Sequence, residues 1–236
     1  MELKKRMQAL GLVYVLLLLG ICVPPQIEKG QSGAEEREVT SVSADEVSRE
    51  KPKIALTFDD GPHQVYTPML LDGLKERGVK ATFFLIGENI EIGENAEIVK
   101  REQEEGHLIG NHTYSHVEIT RLENEAAYKE IQKTNEIIEN ITGEKVEFMR
   151  PPFGAWQKDL EKKIQVLPVM WTVDPLDWAT ENVDEIVNKV VTEVKENDII
   201  LLHDCYASSV KAALRIVDLL QAEGYTFVTV DELLID

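Results

Sequence analysis

Two histidines, His112 and His116, are separated by three residues. On one turn of helix this spacing puts both imidazoles on the same side, where they could bind one metal ion. A carboxylate from another part of the chain would complete a two-histidine, one-carboxylate set with open coordination positions. Two surface histidines without a role would show the same spacing, so the pair needs support from other residues.

Two adjacent carboxylates, Asp59 and Asp60, follow an apolar segment and precede a glycine. One interpretation is a turn or a helix cap, since Asp-Gly is ordinary turn chemistry. The other requires the two side chains to diverge, with one binding a metal and the other accepting a proton from water. A neighbouring cation would make this tolerable, because it stabilises both ionised carboxylates.

Further polar residues follow apolar segments later in the chain: Arg150, Asp177 and His203. Arg150 precedes two prolines, which remove two backbone donors and leave the Phe153 N–H as a fixed donor. His203 comes directly after the apolar residues 199–202. It is either a group that transfers a proton or a core histidine bonded to a backbone carbonyl.

Strands and helices alternate along the chain and would carry these residues. The apolar patterns predict strands at 54–58, 81–86, 108–109, 146–149, 166–172, 199–202 and 225–230. Helices are predicted at 67–77, at 95–105, after a capping box at Thr120 and Glu123, around 183–194 and at 210–220. Repeated βα units predict an α/β fold with a mainly parallel sheet, and about seven strands favour a closed or nearly closed barrel. In such a barrel the carboxyl ends of the strands meet at one rim.

Charge and cysteine content argue against a nucleic-acid-binding protein and against a thiolate zinc site. The 236-residue chain carries a formal net charge of −18, most of it on residues 51–236. Such a surface repels phosphates and argues against a nucleic-acid partner. The two cysteines, Cys22 and Cys205, form no CxxC pair, so a thiolate zinc site is not expected.

The N-terminal residues indicate export. Residues 1–25 combine a basic start with an apolar run at 9–23, which is typical of a signal peptide or a membrane anchor. A buried helix of the domain is the alternative. Residues 26–50 are polar and acidic and predict a flexible linker, which leaves residues 51–236 for the folded domain. The basic start predicts that everything after it lies outside the cytoplasm, either secreted or anchored to the outer face of the membrane.

Five motifs together resemble the polysaccharide deacetylases of the NodB-homology, carbohydrate esterase family 4 type. They occur in the family's order over residues 52–236, at 57–62 (TFDDGP), 112–116 (HTYSH), 150–154 (RPPFG), 174–178 (DPLDW) and 201–204 (LLHD). The first two are highly specific in combination. The resemblance implies a distorted (β/α) barrel, in agreement with the alternation of strands and helices.

The resemblance also implies a role for individual residues. Asp59 would be the general base, oriented by Arg150, and His203 the general acid, oriented by Asp177. The implied metal ligands are Asp60, His112 and His116. The implied substrate contacts are the Phe153 N–H, which faces the oxyanion, and Trp178 and Leu201, which wall the acetyl methyl pocket. Many family members have Tyr at the Phe153 position, a change without consequence if only the N–H acts.

The expected activity is metal-dependent removal of N-acetyl groups from N-acetylglucosamine-type residues of an extracellular polysaccharide, such as peptidoglycan or a chitin-like glycan. Zinc is the expected metal because mixed nitrogen and oxygen ligands with an open position suit it, although cobalt or nickel could also bind. Two alternatives stay open: an O-acetyl esterase of the xylan type with the same site, and an inactive carbohydrate-binding protein.

Overall fold

The computed structural model of the protein describes residues 51–156 and 158–235. The predicted export segment, residues 1–25, and the predicted linker, residues 26–50, lie outside this part of the chain. Within the described residues, no helix has both the length and the apolar character needed to cross a membrane.

The described part of the chain contains seven strands and seven α-helices, including two short helices that the sequence did not predict, at 87–90 and 230–235. The strands are β1 (Lys53–Gly61), β2 (Thr82–Leu85), β3 (Leu108–Asn111), β4 (Phe148–Met149), β5 (Leu167–Pro168), β6 (Ile199–His203) and β7 (Thr226–Val228). The helices are α1 (Tyr66–Glu76), α2 (Gly87–Ile90), α3 (Asn95–Glu104), α4 (Asn124–Thr142), α5 (Val183–Glu193), α6 (Ala207–Ala222) and α7 (Val230–Ile235). Short 3-10 turns connect them at Ile119–Arg121, Pro152–Gly154, Lys158–Lys162 and Asp177–Ala179.

All seven strands pair in parallel, and the sheet curves until its two edges meet. The order along the sheet is β5-β4-β3-β2-β1-β6, and β7 pairs with the beginning of β1. Just after β5, the Thr172 N–H donates to the Ile199 carbonyl, and Val173 forms a bridge with Ile200 of β6. One segment therefore joins both edges, and the predicted α/β fold, a distorted (β/α) barrel of seven strands, is confirmed.

The barrel interior and the helix faces are filled by apolar side chains at the expected spacing. Phe58 of β1 stacks on Phe83 of β2 with ring centroids 5.3 Å apart. On α4 the buried residues are Ala127, Ile131, Thr134 and Ile138, which repeat every three or four positions. This packing gives a rigid scaffold below the rim where the polar residues gather.

Two local predictions were wrong. Thr120 does not cap a helix, because it lies in a 3-10 turn where its hydroxyl donates to the Glu118 carboxylate at 3.1 Å. Helix α4 begins four residues later, with Glu123 at the N-cap and no side-chain cap bond. The predicted strand at 166–172 is only two residues long, Leu167–Pro168, although the Val169 N–H still donates to the Met149 carbonyl at 2.8 Å.

Candidate active site

A cavity of about 440 Å³ opens at the carboxyl ends of the strands. It is lined by Asp59, Asp60, His112, His116, Phe153, Trp171, Asp174, Trp178, Leu201, His203 and Tyr206. Eight of the ten residues selected from the sequence line it. The other two, Arg150 and Asp177, lie one layer below and contact lining residues directly.

An irregularity in β1 lets both adjacent carboxylates face the cavity. Successive residues of a regular strand point to opposite faces. Here the register with β2 shifts between Asp59 and Gly61, and Asp60 adopts a left-handed conformation with φ of 70°. The Asn89 side chain holds this turn by donating to the Asp60 carbonyl at 2.8 Å. Both carboxylates therefore line the same cavity, with Asp59 bonded to Arg150 and Asp60 close to His112 and His116.

Asp60, His112 and His116 present three potential ligand atoms within 4.8 Å of one another. The Asp60 Oδ1 lies 3.4 Å from the His112 Nε2 and 3.3 Å from the His116 Nε2. This oxygen is buried and accepts no hydrogen bond from the described part of the chain. A buried acceptor without a donor is costly unless a cation or water satisfies it. The donor set therefore fits a divalent metal ion.

The two histidines do not converge on a helical turn, contrary to the first expectation. His112 follows β3 directly, and residues 112–116 form a loop in which Thr113 and His116 have φ of 64° and 53°. Left-handed conformations of non-glycine residues cost about 1–3 kcal/mol each and persist only where the surroundings impose them. Loop conformation, not helical spacing, brings the two rings together.

The orientation of the metal-facing imidazoles suits ligation. The His112 Nδ1 lies 2.7 Å from the Arg150 carbonyl oxygen, to which it can only donate, so the Nε2 lone pair faces Asp60. Burial lowers the pKa of His116, against the opposing charge of Asp60. The bond to Arg150 fixes the ring orientation of His112, and burial favours the neutral form of His116, the form that binds metals.

Arg150 lies inside the barrel and holds Asp59 at the cavity floor. Its Nη1 donates to the Asp59 Oδ1 at 2.8 Å and to the Thr57 hydroxyl at 2.7 Å. The guanidinium also lies over the Phe84 ring, 4.4 Å from its centroid. The Asp59 Oδ2 faces the cavity, 3.8 Å from the His112 Nε2. One carboxylate oxygen is thus fixed and the other is directed toward the metal position.

Asp177 holds His203 at the end of β6, where His203 is the register partner of Asp59 on the adjacent strand β1. The Asp177 Oδ1 is 2.8 Å from the His203 Nδ1, and its Oδ2 accepts from the His203 backbone N–H at 2.9 Å. Burial alone would lower the pKa of His203, but the bond and charge of Asp177, with the charges of Asp59 and Asp60, raise it to about 9. His203 is therefore a cation at neutral pH that can donate a proton.

Aromatic and apolar groups form the cavity walls. Phe153, with φ of 60°, packs its ring edge against His116 at 4.9 Å between centroids. Trp178 is exposed, and Leu201 lies buried on β6. The site selection omitted the lining residues Trp171, Asp174 and Tyr206. Trp171 lies beside the Arg150 guanidinium, 5.6 Å from ring centroid to Cζ, and Tyr206 lies edge-on to His203 at 6.4 Å.

A sequence signal existed for two of the three omitted residues. Asp174 opens the 174–178 motif, and its carboxylate accepts from the Leu176 N–H at 2.8 Å, which stabilises the turn before Asp177. Tyr206 follows the 201–204 motif by two residues. Trp171 carried no separate signal, because an aromatic residue is ordinary in a predicted strand. Cys205 lines a neighbouring cavity, where burial raises its pKa to about 12.

Comparison with known proteins identifies the family. A profile described as polysaccharide deacetylase matches residues 46–170. The peptidoglycan-N-acetylglucosamine deacetylase of Listeria monocytogenes is 38% identical over 196 residues, which is 82% of this chain and 42% of the relative. The chain belongs to the polysaccharide deacetylase family. It spans about two fifths of the length of that relative.

Solved structures of polysaccharide deacetylases share this fold. The peptidoglycan deacetylase PdaC from Bacillus subtilis has a TM-score of 0.75 and 38% identity, over 78% of this chain and 90% of that one. The Xyl-CE4 domain of a multidomain xylanase from the hindgut metagenome of Trinervitermes trinervoides has a TM-score of 0.71 and 38% identity, over 78% of this chain and 89% of that one. The family resemblance based on five motifs is therefore confirmed.

Proposed function

We propose that this polysaccharide deacetylase-family chain is a metal-dependent hydrolase that removes N-acetyl groups from N-acetylglucosamine-type residues of an extracellular polysaccharide, releasing acetate. The observation that carries the proposal is the cavity that Asp59 and His203 line together with the Asp60, His112 and His116 cluster. The names of the relatives favour peptidoglycan over a chitin-like glycan.

Asp60, His112 and His116 are the proposed metal ligands, and zinc is the proposed ion, with cobalt or nickel as substitutes. The short distances among their donor atoms and the unpartnered Asp60 Oδ1 support this assignment. A bound divalent ion would supply a Lewis acid for the acetyl carbonyl and for the attacking water.

Asp59 is the proposed general base, and Arg150 its positioning residue. The Asp59 Oδ2 faces the cavity and would take a proton from water as the water oxygen adds to the acetyl carbon. The two-point contact of Arg150 with Asp59 and Thr57 keeps the carboxylate in place throughout. The oxyanion that forms would accept a hydrogen bond from the Phe153 N–H.

His203 is the proposed general acid. With its Nδ1 bonded to Asp177, its Nε2–H would protonate the sugar nitrogen as the carbon–nitrogen bond breaks. The products are a free sugar amine and acetic acid, whose ionisation to acetate supplies the proton that restores His203. The proton that Asp59 took from water is returned to solvent. Trp178 and Leu201 would enclose the acetyl methyl group, as their position in the cavity wall suggests.

The proposed location is the cell envelope or the exterior. The names of the peptidoglycan-specific relatives support it, together with the basic and apolar pattern of residues 1–25. We propose that these residues direct export as a signal peptide or an anchor. Residues 26–50 would then act as a linker to a catalytic domain at 51–236.

The direct test is acetate release from N-acetylglucosamine oligomers and from purified peptidoglycan with Zn²⁺ added. We expect release by the wild-type protein and almost none by Asp59→Asn, a variant of the same shape without a base. Absence of release from every N-acetylated glycan, by protein that is folded and metal-loaded, would contradict the proposal. Retained glycan binding under those conditions would favour the inactive carbohydrate-binding alternative.

An O-acetyl esterase is the second candidate, and the similarity to the xylanase-linked domain favours it. The same groups could direct water to an ester carbonyl, where the leaving sugar oxygen needs less help from His203 than an amine does. Rates on acetylated xylan and on N-acetylglucosamine oligomers should be compared side by side. A higher kcat/KM on xylan would assign the ester activity.

A further inference from the structure

The loop that carries both proposed histidine ligands, residues 112–116, contains few hydrogen bonds of its own. Its carbonyls at Thr113 and Tyr114 accept from the N–H groups of Gly87 and Glu88 in the first turn of α2, at 3.0 and 2.8 Å. This contact fixes one side of the loop. The contact is close, because a Cβ on Gly87 would lie 2.6 Å from the Tyr114 ring.

The N–H groups on the other side of the loop converge on one side chain. Glu130, on α4, accepts three hydrogen bonds at a single oxygen, Oε2. The donors are the Tyr114 N–H at 3.1 Å, the Ser115 N–H at 2.9 Å and the Ser115 hydroxyl at 3.0 Å. Hydrogen bonds to an ionised carboxylate are roughly twice as strong as neutral ones.

These contacts satisfy two of the three backbone donors between the histidines while the loop holds a strained conformation. The third donor, the Thr113 N–H, bonds to the Asn111 side chain at 2.6 Å. Thr113 and His116 are both left-handed, so the loop needs external contacts to keep this shape. His112 has its own fixed points, since its N–H donates to the Leu85 carbonyl and its ring bonds to the Arg150 carbonyl. His116 follows Ser115 directly, and its ring is about one third exposed. Its place therefore depends mainly on the loop.

We propose that Glu130 is a positioning residue that holds the 112–116 loop in the conformation that binds the metal. Glu130 is not among the described residues that line the cavity, and it lies outside all five motifs. Its carboxylate sets the distance between the two imidazoles by fixing the backbone that separates them. The inference rests on the metal site of the proposed function, but not on the choice of glycan or of acetyl linkage.

The experiment measures metal affinity, not turnover. Full-length Glu130→Ala and Glu130→Gln are stripped with a chelator, and the Zn²⁺ dissociation constant is measured by competition with a chromophoric chelator. Glu136→Ala is the matched control. Glu136 is an exposed residue of the same type on the same helix, and its side chain bonds only to Gln132 among the contacts described.

We expect Glu130→Ala to weaken zinc binding about 10- to 100-fold, the range for groups that orient ligands from outside the metal shell. Glu130→Gln keeps an acceptor oxygen without the charge and should lose affinity on the order of threefold. Glu136→Ala should match the wild type. The visible spectrum of the Co²⁺-loaded Glu130→Ala protein should also change, because a shifted His116 alters the ligand geometry.

Zinc affinities of both Glu130 variants within twofold of the wild type would overturn the inference. Thermal unfolding of the metal-free proteins shows whether each variant is folded, and zinc affinities are compared only between folded proteins. This control distinguishes a loss of zinc affinity from a general loss of stability. If Glu130→Ala does not fold, Glu130→Gln decides by the same threshold. A protein that binds zinc but releases no acetate would contradict the proposed function and leave this inference intact.

Discussion

The metal side of the cavity (Asp60, His112 and His116) and the acid side (His203 and Asp177) each orient a histidine through a hydrogen bond at its Nδ1, but with opposite results. On the metal side, the His112 Nδ1 bonds to a neutral backbone carbonyl, and the other ring nitrogen is left with a lone pair. On the acid side, the His203 Nδ1 bonds to a buried carboxylate, which keeps the ring protonated to about pH 9. The distances are nearly equal, at 2.7 and 2.8 Å. The charge of the group below each ring, more than the distance, decides whether the histidine is suited to bind a metal or to deliver a proton.

The carboxylates show a parallel contrast. Asp59 has a full cationic partner in Arg150, whereas the Asp60 Oδ1 has no protein donor among the described residues. Burial would raise the pKa of Asp60, but the close approach and charge of His112, with the charges of His203 and His116, lower it. We propose that Asp59 takes the proton and that Asp60 binds the cation.

Metal removal should have the largest effect. Dialysis against a chelator should reduce acetate release to the limit of detection, because the Lewis acid is lost. Readdition of Zn²⁺ should restore the rate, as measured with N-acetylglucosamine oligomers. Full activity of protein shown by elemental analysis to be metal-free would contradict the assignment of the metal side.

Removal of the base should have the next largest effect. Asp59→Asn should lower kcat/KM about 10²- to 10⁴-fold, the usual contribution of a well-placed general base. Zinc affinity should change much less, since Asp59 is not a proposed ligand. Calorimetric zinc titration of the variant checks this separation, and an equal loss of metal binding would show that Asp59 is itself a ligand.

Replacing the Asp177 carboxylate by a neutral amide should remove the charge that keeps His203 protonated. In Asp177→Asn the main influence that raises the pKa of His203 is gone, and burial then lowers it. The decline of kcat at high pH should move from near pH 9 toward or below the ordinary value of about 6.5. At pH 8 the loss should be about 10²-fold, because most of the acid is unprotonated. A pH–rate profile with an unchanged basic limb would exclude His203 as the acid.

The same variant should show a smaller effect on stability. The folded pKa of His203 is higher than its unfolded pKa, so protonation stabilises the folded protein fully below about pH 6.5. This contribution is lost as the pH rises through 9. Chemical unfolding of the metal-free proteins should therefore show a difference between wild type and Asp177→Asn that is largest at low pH and smallest near pH 9. A constant difference across this range would contradict the linkage.

The sequence predicted the chemistry of both sides better than the shape that joins them. Asp59, Asp60, His112 and His203 were identifiable because they follow apolar strands at the rim. His116 was identifiable from its spacing to His112. The strand count favoured a closed or nearly closed barrel, but the backbone contacts of Thr172 and Val173 with β6 that close it could not be identified from the sequence. The apolar pattern of a strand indicates that its side chains are buried, but it does not indicate which other strand pairs with it.

Backbone conformation was the other feature that the sequence did not reveal. The 112–116 spacing suggested a helical turn, but the loop uses left-handed residues fixed by α2 and Glu130. The placement of both Asp59 and Asp60 at the cavity likewise comes from a register shift in β1. Residue types indicate which reactions are possible, whereas such local geometry depends on contacts between segments distant in sequence.

The most direct test of the account is a crystal structure of the zinc-loaded protein with the anomalous signal of zinc. We predict one strong peak bonded to the Asp60 Oδ1, the His112 Nε2 and the His116 Nε2, with Asp59 and His203 on either side of its open positions. A fully active protein with no peak there, or with its zinc bound by other residues, would contradict the account.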